Sequence, residues 1–370
     1  MRFGFLLLED GTTFEGISVA ADAAAVGEVV FTTSMTGYQE ALTDPSFHGQ
    51  LLTFTAPMIG NYGVEADADE STHVQARAML CHEARNYAPN GRGGLLDWLT
   101  GNGIVALAEL DTRALVRHLR DRGAMLGVAV GDGSTLERAR ELLTAEPPME
   151  GRLLAGQVSG DLPDRDAEPE RCRIVLVDYG AKDSIARLLA EAGAHVEVVP
   201  HDATADEILA HDPDGILLAN GPGDPGVMDA HVAQVRQLVE ANRPLFGICL
   251  GHQLLGRALG LETFKLPFGH RGANHPVLER ESGRVLVTTQ NHGFAIRMPD
   301  GDTGDVTITH ESLYDHTVEG LRLRDRPVAG VQYHPEAAPG PHDARRHLQD
   351  FVDQCAAARR EALALAREAR

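Results

Sequence analysis

Cys249 lies in the run Gly247-Ile248-Cys249-Leu250-Gly251-His252-Gln253, between the apolar stretch Pro244-Leu245-Phe246-Gly247-Ile248 and an apolar helical segment through Leu254, Leu255, Ala258 and Leu259. Gly-x-Cys-x-Gly between a strand and a helix is the thiol form of the nucleophile elbow. The sharp turn lifts the sulfur above the sheet, and the two glycines leave no side chain to clash with it. The start of the helix favours a thiolate there, and the amide of Leu250 is placed to donate to an oxyanion. The plainer reading, a buried cysteine packed near a turn, requires no paired glycines.

A cysteine nucleophile needs a base, and the base needs an orienter. Of the 17 histidines, His334 is distinguished by its setting: it follows the apolar run Val328-Ala329-Gly330-Val331-Gln332-Tyr333 and precedes Pro335-Glu336. The proline stiffens the turn, and the Glu336 carboxylate can reach back to the imidazole. A third loop, Asn220-Gly221-Pro222-Gly223-Asp224-Pro225, follows another apolar run ending at Ala219. Its glycines allow backbone N–H groups to approach a substrate, as an oxyanion hole or a carboxylate cradle requires. An ordinary Gly/Pro turn remains the alternative, and no Lys or Ser/Thr follows to make a phosphate cradle.

These loops must be held by a scaffold that brings strand ends together. From Ile174-Val175-Leu176-Val177 onward, apolar runs alternate with helical segments: Ser184 to Ala192, His195 to Val199, Ala205 to Ala210, Gly215 to Ala219, about Ala230 to Ala241, then Pro244 to Ile248. Continuous apolar runs are strands buried on both faces, and the alternation implies a doubly wound, mostly parallel sheet. Ligands bind such sheets beyond the C-terminal ends of the strands, where all three loops lie. The Ala/Arg/Glu-rich tail after Phe351 reads as a solvated surface helix.

The first part has a different pattern. Gly27 to Thr33 and Gln50 to Thr55 read as strands, and Asp111 as the N-cap of a helix through Ala114, Leu115, His118 and Leu119 that stops at Gly123. The reading is a mixed α/β domain over 1–150, a polar, proline-containing linker over 151–171, and a second α/β domain over 172–370. A chain of 370 residues has room for both.

Bulk properties exclude several classes. A formal net charge of −21 leaves no basic excess for displacing counterions from a nucleic acid. No apolar run reaches the roughly 18 residues of a membrane span, and the N-terminal one is too short for a signal peptide, so the expectation is a cytoplasmic protein. The four cysteines, Cys81, Cys172, Cys249 and Cys355, form no Cys-x-x-Cys pair, which disfavours a zinc site or a disulfide scaffold. His270, His275 and His292 are too loosely spaced to be preferred as metal ligands, and no metal is expected. Lysine occurs only at Lys182 and Lys265, neither after a glycine, so the phosphate-binding loop Gly-x-x-x-x-Gly-Lys is absent. In a chain that otherwise uses Arg, each surviving Lys marks either a place Arg cannot fill or chance.

Taken together and in this order, the Asn-Gly-Pro-Gly-Asp-Pro loop, the cysteine elbow and His-Pro-Glu resemble class I glutamine amidotransferases. Thr33-Ser34-Met35-Thr36-Gly37-Tyr38-Gln39-Glu40, Gly60-Asn61-Tyr62-Gly63, Asp111-Thr112-Arg113-Ala114-Leu115, Asp178-Tyr179-Gly180-Ala181-Lys182, Phe268 to Pro276 and Gln290-Asn291-His292-Gly293-Phe294 narrow the resemblance to the small subunit of carbamoyl-phosphate synthase, over almost the whole chain. The resemblance implies that Cys249 is the nucleophile, His334 the base and acid, and Glu336 its orienter. It implies that L-glutamine is held by Ser46, Gly221, Gly223, Leu250, Gln253, Asn291, Gly293 and Phe294. It also implies a large-subunit partner that receives ammonia and uses MgATP and bicarbonate to make carbamoyl phosphate for arginine and pyrimidine synthesis, with no cofactor in this chain. Two departures from the family pattern are Cys81-His82-Glu83-Ala84, where a more basic segment is expected, and Tyr179, where Phe is common. The competing expectations are the amidotransferase subunit of another synthase, a free-standing hydrolase, and a non-catalytic scaffold subunit.

Overall fold

The computed structural model describes residues 2–299, 301 and 303–368. The chain forms two compact units, one of Met1–Arg152 with Leu266–Ala273 and the other of Leu153–Lys265 with Asn274–Arg370.

In the first unit seven strands close into a barrel in the order Arg2–Leu8, Thr13–Ser18, Val105–Ala108, Ala78–Leu80, Gln50–Phe54, Ala24–Thr32, Met125–Val130. Strand directions are mixed: Ala24–Thr32 runs parallel to Gln50–Phe54 and antiparallel to Met125–Val130. Alternation along the strands sorts the core. Leu6, Leu8, Val29, Phe31, Leu51, Ala78, Leu80, Val105 and Leu107 form one cluster with Leu115 and Leu119 of the helix Thr112–Arg122. The residues between them, such as Val30, Leu52, Met79 and Ala106, pack in a second cluster with Tyr38 and Leu42. Both faces of Ala24–Thr32, Gln50–Phe54, Ala78–Leu80 and Val105–Ala108 are therefore apolar, which is why period-two patterning is weak there. The Asp111 carboxylate caps the helix by accepting from Ala114 N at 2.9 Å, and Gly123 ends it at φ 98°. The inserted segment 266–273 is tied in by Phe268 stacked on Phe31, ring centroids 6.0 Å apart, and by Ala124 N donating to Pro267 O at 2.7 Å.

The second unit carries a nine-stranded sheet. Its parallel part runs Ala194–Pro200, Cys172–Asp178, Gly215–Leu218, Leu245–Ile248, Val328–Val331, and continues antiparallel through Val318–Leu323, Val285–Ile296, Thr263–Glu279 and Val306–Ser312. Numbered along the chain, the parallel order is 2-1-3-4-5, the flavodoxin-like doubly wound arrangement. Val175, Val177, Ile216 and Leu218 pack on one face and Ile174, Leu176 and Leu217 on the other, so these strands are buried on both sides as their unbroken apolar runs imply. Residues 151–171 contain one short turn, Ala155–Gln157, and are bound to this unit by the Arg165–Val196 backbone pair and by Gly160 N donating to Asp178 Oδ2 at 2.7 Å.

One expectation is corrected in part. The C-terminal helix is Arg346–Glu368, exposed over most of its length after Phe351, but Val352, Cys355 and Ala356 are buried together with Leu348 and Phe351 before them. Apolar residues recur there at helical spacing before the Ala/Arg/Glu-rich turns begin.

Candidate active site

Three adjacent parallel strands end together, and the loops that follow them converge. Cys249 follows Leu245–Ile248 and adopts φ 52°, ψ −103° before the helix Leu250–Ala258. A side-chain-bearing residue rarely occupies that region, and holding it there costs on the order of 1–3 kcal/mol. The surroundings enforce it. Cys249 N donates to Val331 O at 2.9 Å and Gly251 N to Ala219 O at 3.0 Å, so both neighbouring strand ends clamp the turn. A Cβ on Gly247 would lie 2.8 Å from the Gly251 carbonyl, and one on Gly251 would strike the Leu218 backbone. Gly251→Ala is accordingly expected to destabilise the fold by about 1–3 kcal/mol through overpacking against rigid backbone. Thermal unfolding checks this, and a variant melting with the native protein would show that the turn can relax.

His334 follows Val328–Val331, its N–H donating to Thr289 O at 2.9 Å. Its Nδ1 lies 2.6 Å from Glu336 Oε1, and that oxygen is 3.1 Å from Lys182 Nζ. Nζ also donates to Ala337 O at 2.6 Å and Ala338 O at 2.8 Å, the carbonyls of two residues held at φ 62° and 48°. All three charged side chains are buried, Glu336 completely. Burial favours neutral imidazole, but the Glu336 carboxylate and the neighbouring Cys249 sulfur outweigh it and push His334 up to about 10. Burial likewise opposes the Glu336 carboxylate, and the Lys182 ammonium, then His334, bring it down to about 2. His334 is therefore held protonated and Glu336 ionised over the neutral range.

The remaining expected residues fall as follows. Gly221 and Gly223 sit on the loop after Gly215–Leu218. A Cβ on Gly221 would strike the Tyr179 carbonyl and come within 3.1 Å of Leu250 Cδ2, which places this loop against the elbow. Gly223, at φ 102°, bridges to Leu153. Gln253, one turn into the elbow helix, donates from Nε2 to Phe294 O at 2.7 Å and to Gln332 Oε1 at 3.0 Å. The Asn291 carbonyl lies 3.7 Å from Cys249 Sγ, and Asn291, Gly293 and Phe294 share the strand Val285–Ile296. Ser46 belongs to the first unit, in the turn Pro45–Phe47, where its N–H donates to Asp44 Oδ1 at 2.8 Å. His270 also belongs to the first unit, and His275 and His292 to the second, where His292 Nδ1 lies 2.6 Å from Phe294 O.

Two participants were not singled out as site residues. Gln332 donates from Nε2 to Cys249 Sγ at 3.6 Å, linking the sulfur to Gln253; nothing in its residue type marks it. Lys182 was marked only by the scarcity of lysine. Its backbone is fixed by Asp178 Oδ1, which accepts from Gly180 and Ala181 N, and by Asn220 Oδ1, which accepts from Lys182 N at 3.2 Å. Tyr179, the departure from Phe, is buried, and burial raises its phenol pKa; its ring meets that of His231 edge-on.

Comparison with known proteins follows the same division. Residues 6–129 match the family "Carbamoyl-phosphate synthase small chain, CPSase domain", and residues 175–355 match "Glutamine amidotransferase class-I". The chain is 46% identical to the carbamoyl phosphate synthase small chain of Parasynechococcus marenigrum, over 95% of this chain and 96% of that one. It is 43% identical to the small chain of Pectobacterium atrosepticum, over 95% and 97%. It is 44% identical to the pyrimidine-specific small chain of Lactiplantibacillus plantarum, over 95% and 96%. A thiol, an imidazole and a carboxylate assembled on neighbouring strand ends thus coincide with matches spanning both parts of the chain, which belongs to the carbamoyl-phosphate synthase small chain family.

Proposed function

We propose that this chain is the glutamine-hydrolysing subunit of a carbamoyl-phosphate synthase, in which Cys249 is the nucleophile, His334 the acid and base, and Glu336 the group that orients and charges His334. The observation that carries the reading is the line Cys249, His334, Glu336, Lys182, buried at the C-terminal ends of adjacent parallel strands in a chain of this family.

The chemistry follows from the positions. The Cys249 thiolate attacks the side-chain amide carbon of glutamine, and the carbonyl electrons move onto oxygen. The N–H of Leu250, at the first helical position where no intrahelical acceptor exists, and that of Gly223 are the oxyanion donors; removing one such donor typically costs about 10²–10³-fold in rate. His334, already protonated, gives its proton to the departing nitrogen, and ammonia leaves a glutamyl thioester. The neutral imidazole then takes a proton from water, whose oxygen attacks the thioester carbonyl. Glutamate departs, the Cys249 thiolate is restored and His334 is again charged. Within the second unit, glutamine is held by Gly221, Gly223, Leu250, Gln253, Asn291, Gly293 and Phe294.

The ammonia passes to a large-subunit partner, where bicarbonate and MgATP complete carbamoyl phosphate for arginine and pyrimidine synthesis. The division of labour accords with the absence of a Gly-Lys phosphate loop from this sequence. A cytoplasmic location fits this role, and no helix among the described residues is long and apolar enough to cross a membrane.

The test is glutamate release from glutamine by the chain alone and with its partner, MgATP and bicarbonate. Slow release that accelerates with the partner, accompanied by carbamoyl phosphate, is the expected result. An equal rate in both states would mean an independent hydrolase, and no release in either would mean a scaffold.

A further inference from the structure

The helix Thr112–Arg122 of the first unit presents Arg113, Arg117 and Arg120 along a groove of about 460 Å³ that also includes Thr55, Thr112 and Val116. The spacing i, i+4, i+7 puts the three guanidinium groups on one face, in a row about 10 Å long at 1.5 Å rise per residue. All three are exposed. Packing does not require them there, because the opposite face, through Leu115 and Leu119, holds the helix in the core.

Many arginines elsewhere in the chain pair with carboxylates, as in Arg77–Glu146, Arg257–Asp229 and Arg359–Glu170, while others, such as Arg122, Arg140 and Arg284, stand apart from one another rather than in a row. Among the described residues, Arg113, Arg117 and Arg120 make no such pair, although the chain carries 54 acidic residues against 33 basic ones. Like charges one turn apart repel and destabilise a helix. Solubility does not call for a local positive row on a chain of net charge −21. The one acidic residue on this helix, Asp121, pairs with none of the three, and a row of unpaired cations maintained against its own repulsion fits a ligand that supplies the counter-charges. The groove is open and its cationic groups are exposed, which suits an extended series of carboxylates better than one small enclosed anion. Guanidinium forks bind carboxylates in bidentate fashion.

We propose that Arg113, Arg117 and Arg120 form the docking row for an acidic segment of the large-subunit partner. The proposal rests on the function argued above. The row steers association and fixes register, with Val116 supplying apolar contact between the charges.

The test is the affinity of the full-length chain for its partner, measured for the native protein and for the triple variant R113E/R117E/R120E at low and high salt. The variant is expected to bind roughly 10- to 100-fold more weakly at low salt. The native complex should weaken as salt screens the row, and the variant should lose that dependence. Glutamate release by the isolated variant and its melting temperature report that the fold is intact, and the triple Arg→Lys variant should recover part of the affinity. Equal affinity and equal salt dependence for native and reversed chains would overturn the docking row while leaving the function standing. Failure of the native chain to bind the partner at all would instead overturn the function. Saturable binding of inorganic tripolyphosphate to the native groove, with partner affinity unchanged by charge reversal, would assign the row to a free anion and overturn the proposal.

Discussion

Cys249→Ser is expected to lower glutamine-dependent carbamoyl phosphate synthesis by on the order of 10³-fold or more, and to leave synthesis from added ammonia near the native rate. A hydroxyl in the sulfur's place has almost no anionic form at neutral pH and is a far weaker nucleophile than a thiolate. Residues that act as one unit lose most of their joint effect when any one is removed. Serine is close to cysteine in size, so the φ 52° turn and the backbone clamp from Val331 and Ala219 survive. The ammonia-dependent reaction draws nothing from this site. Assaying both nitrogen donors on one preparation makes the comparison internal. Loss of both activities would show that the substitution acted through the fold or the assembly, and retention of both would remove Cys249 from the mechanism.

The second large effect is expected at Lys182. Its ammonium is 2% exposed and is the chief counter-charge to a carboxylate with no exposure. Removing one member of a buried pair typically costs about 3–5 kcal/mol, because the other is left charged without a partner. Lys182→Met should therefore lower stability by that order, or leave Glu336 protonated and unable to charge His334. Either way the catalytic rate falls, by roughly 10²-fold on the scale of general acid–base effects, with KM changing much less. Arginine should not substitute, since its planar fork does not fit a site that aims one nitrogen at two carbonyls and a carboxylate.

The sign of the pH dependence follows from the two shifts. Glu336 is depressed from 4.5 to about 2, so the stability it contributes is complete above 4.5 and is lost as pH falls through about 2. His334 is raised from 6.5 to about 10, so its contribution is complete below 6.5 and is lost as pH rises through about 10. Without Lys182, the acid loss should begin at higher pH. Adding Glu336→Gln, which removes the stranded charge, should restore part of the stability lost in Lys182→Met. Melting temperature against pH for the two single variants and the double variant checks this. Strictly additive losses would show that Lys182 and Glu336 do not act on each other.

Much of the second unit was legible in the sequence because its signals are local. A strand buried on both faces is a continuous apolar run, a turn that admits no Cβ requires glycine, and a nucleophile at such a turn announces itself by Gly-x-Cys-x-Gly. The same holds for Asp111 capping its helix and Gly123 ending it. The composition after Phe351 shows the solvated end of the C-terminal helix, whereas the burial of its start follows from the apolar spacing from Leu348 to Ala356.

The sequence by itself determined the chemical identities: a thiol between glycines, an imidazole two residues from a carboxylate, and strands ordered to present loops at one edge. It also carried the family motifs across both parts. Tertiary structure alone decided that the seven strands of the first unit close into a barrel, since every pairing but the local hairpin of Arg2–Leu8 with Thr13–Ser18 joins residues far apart in the chain. It alone placed Gln332 at the cysteine sulfur. It also put Lys182 against Glu336, which follows it by more than 150 residues in the chain, and so gave His334 its charge. The physical reason is that spacing along the chain fixes only what a residue's near neighbours can do. Protonation inside a protein depends instead on burial and on charges a few ångströms away, whatever part of the chain supplies them.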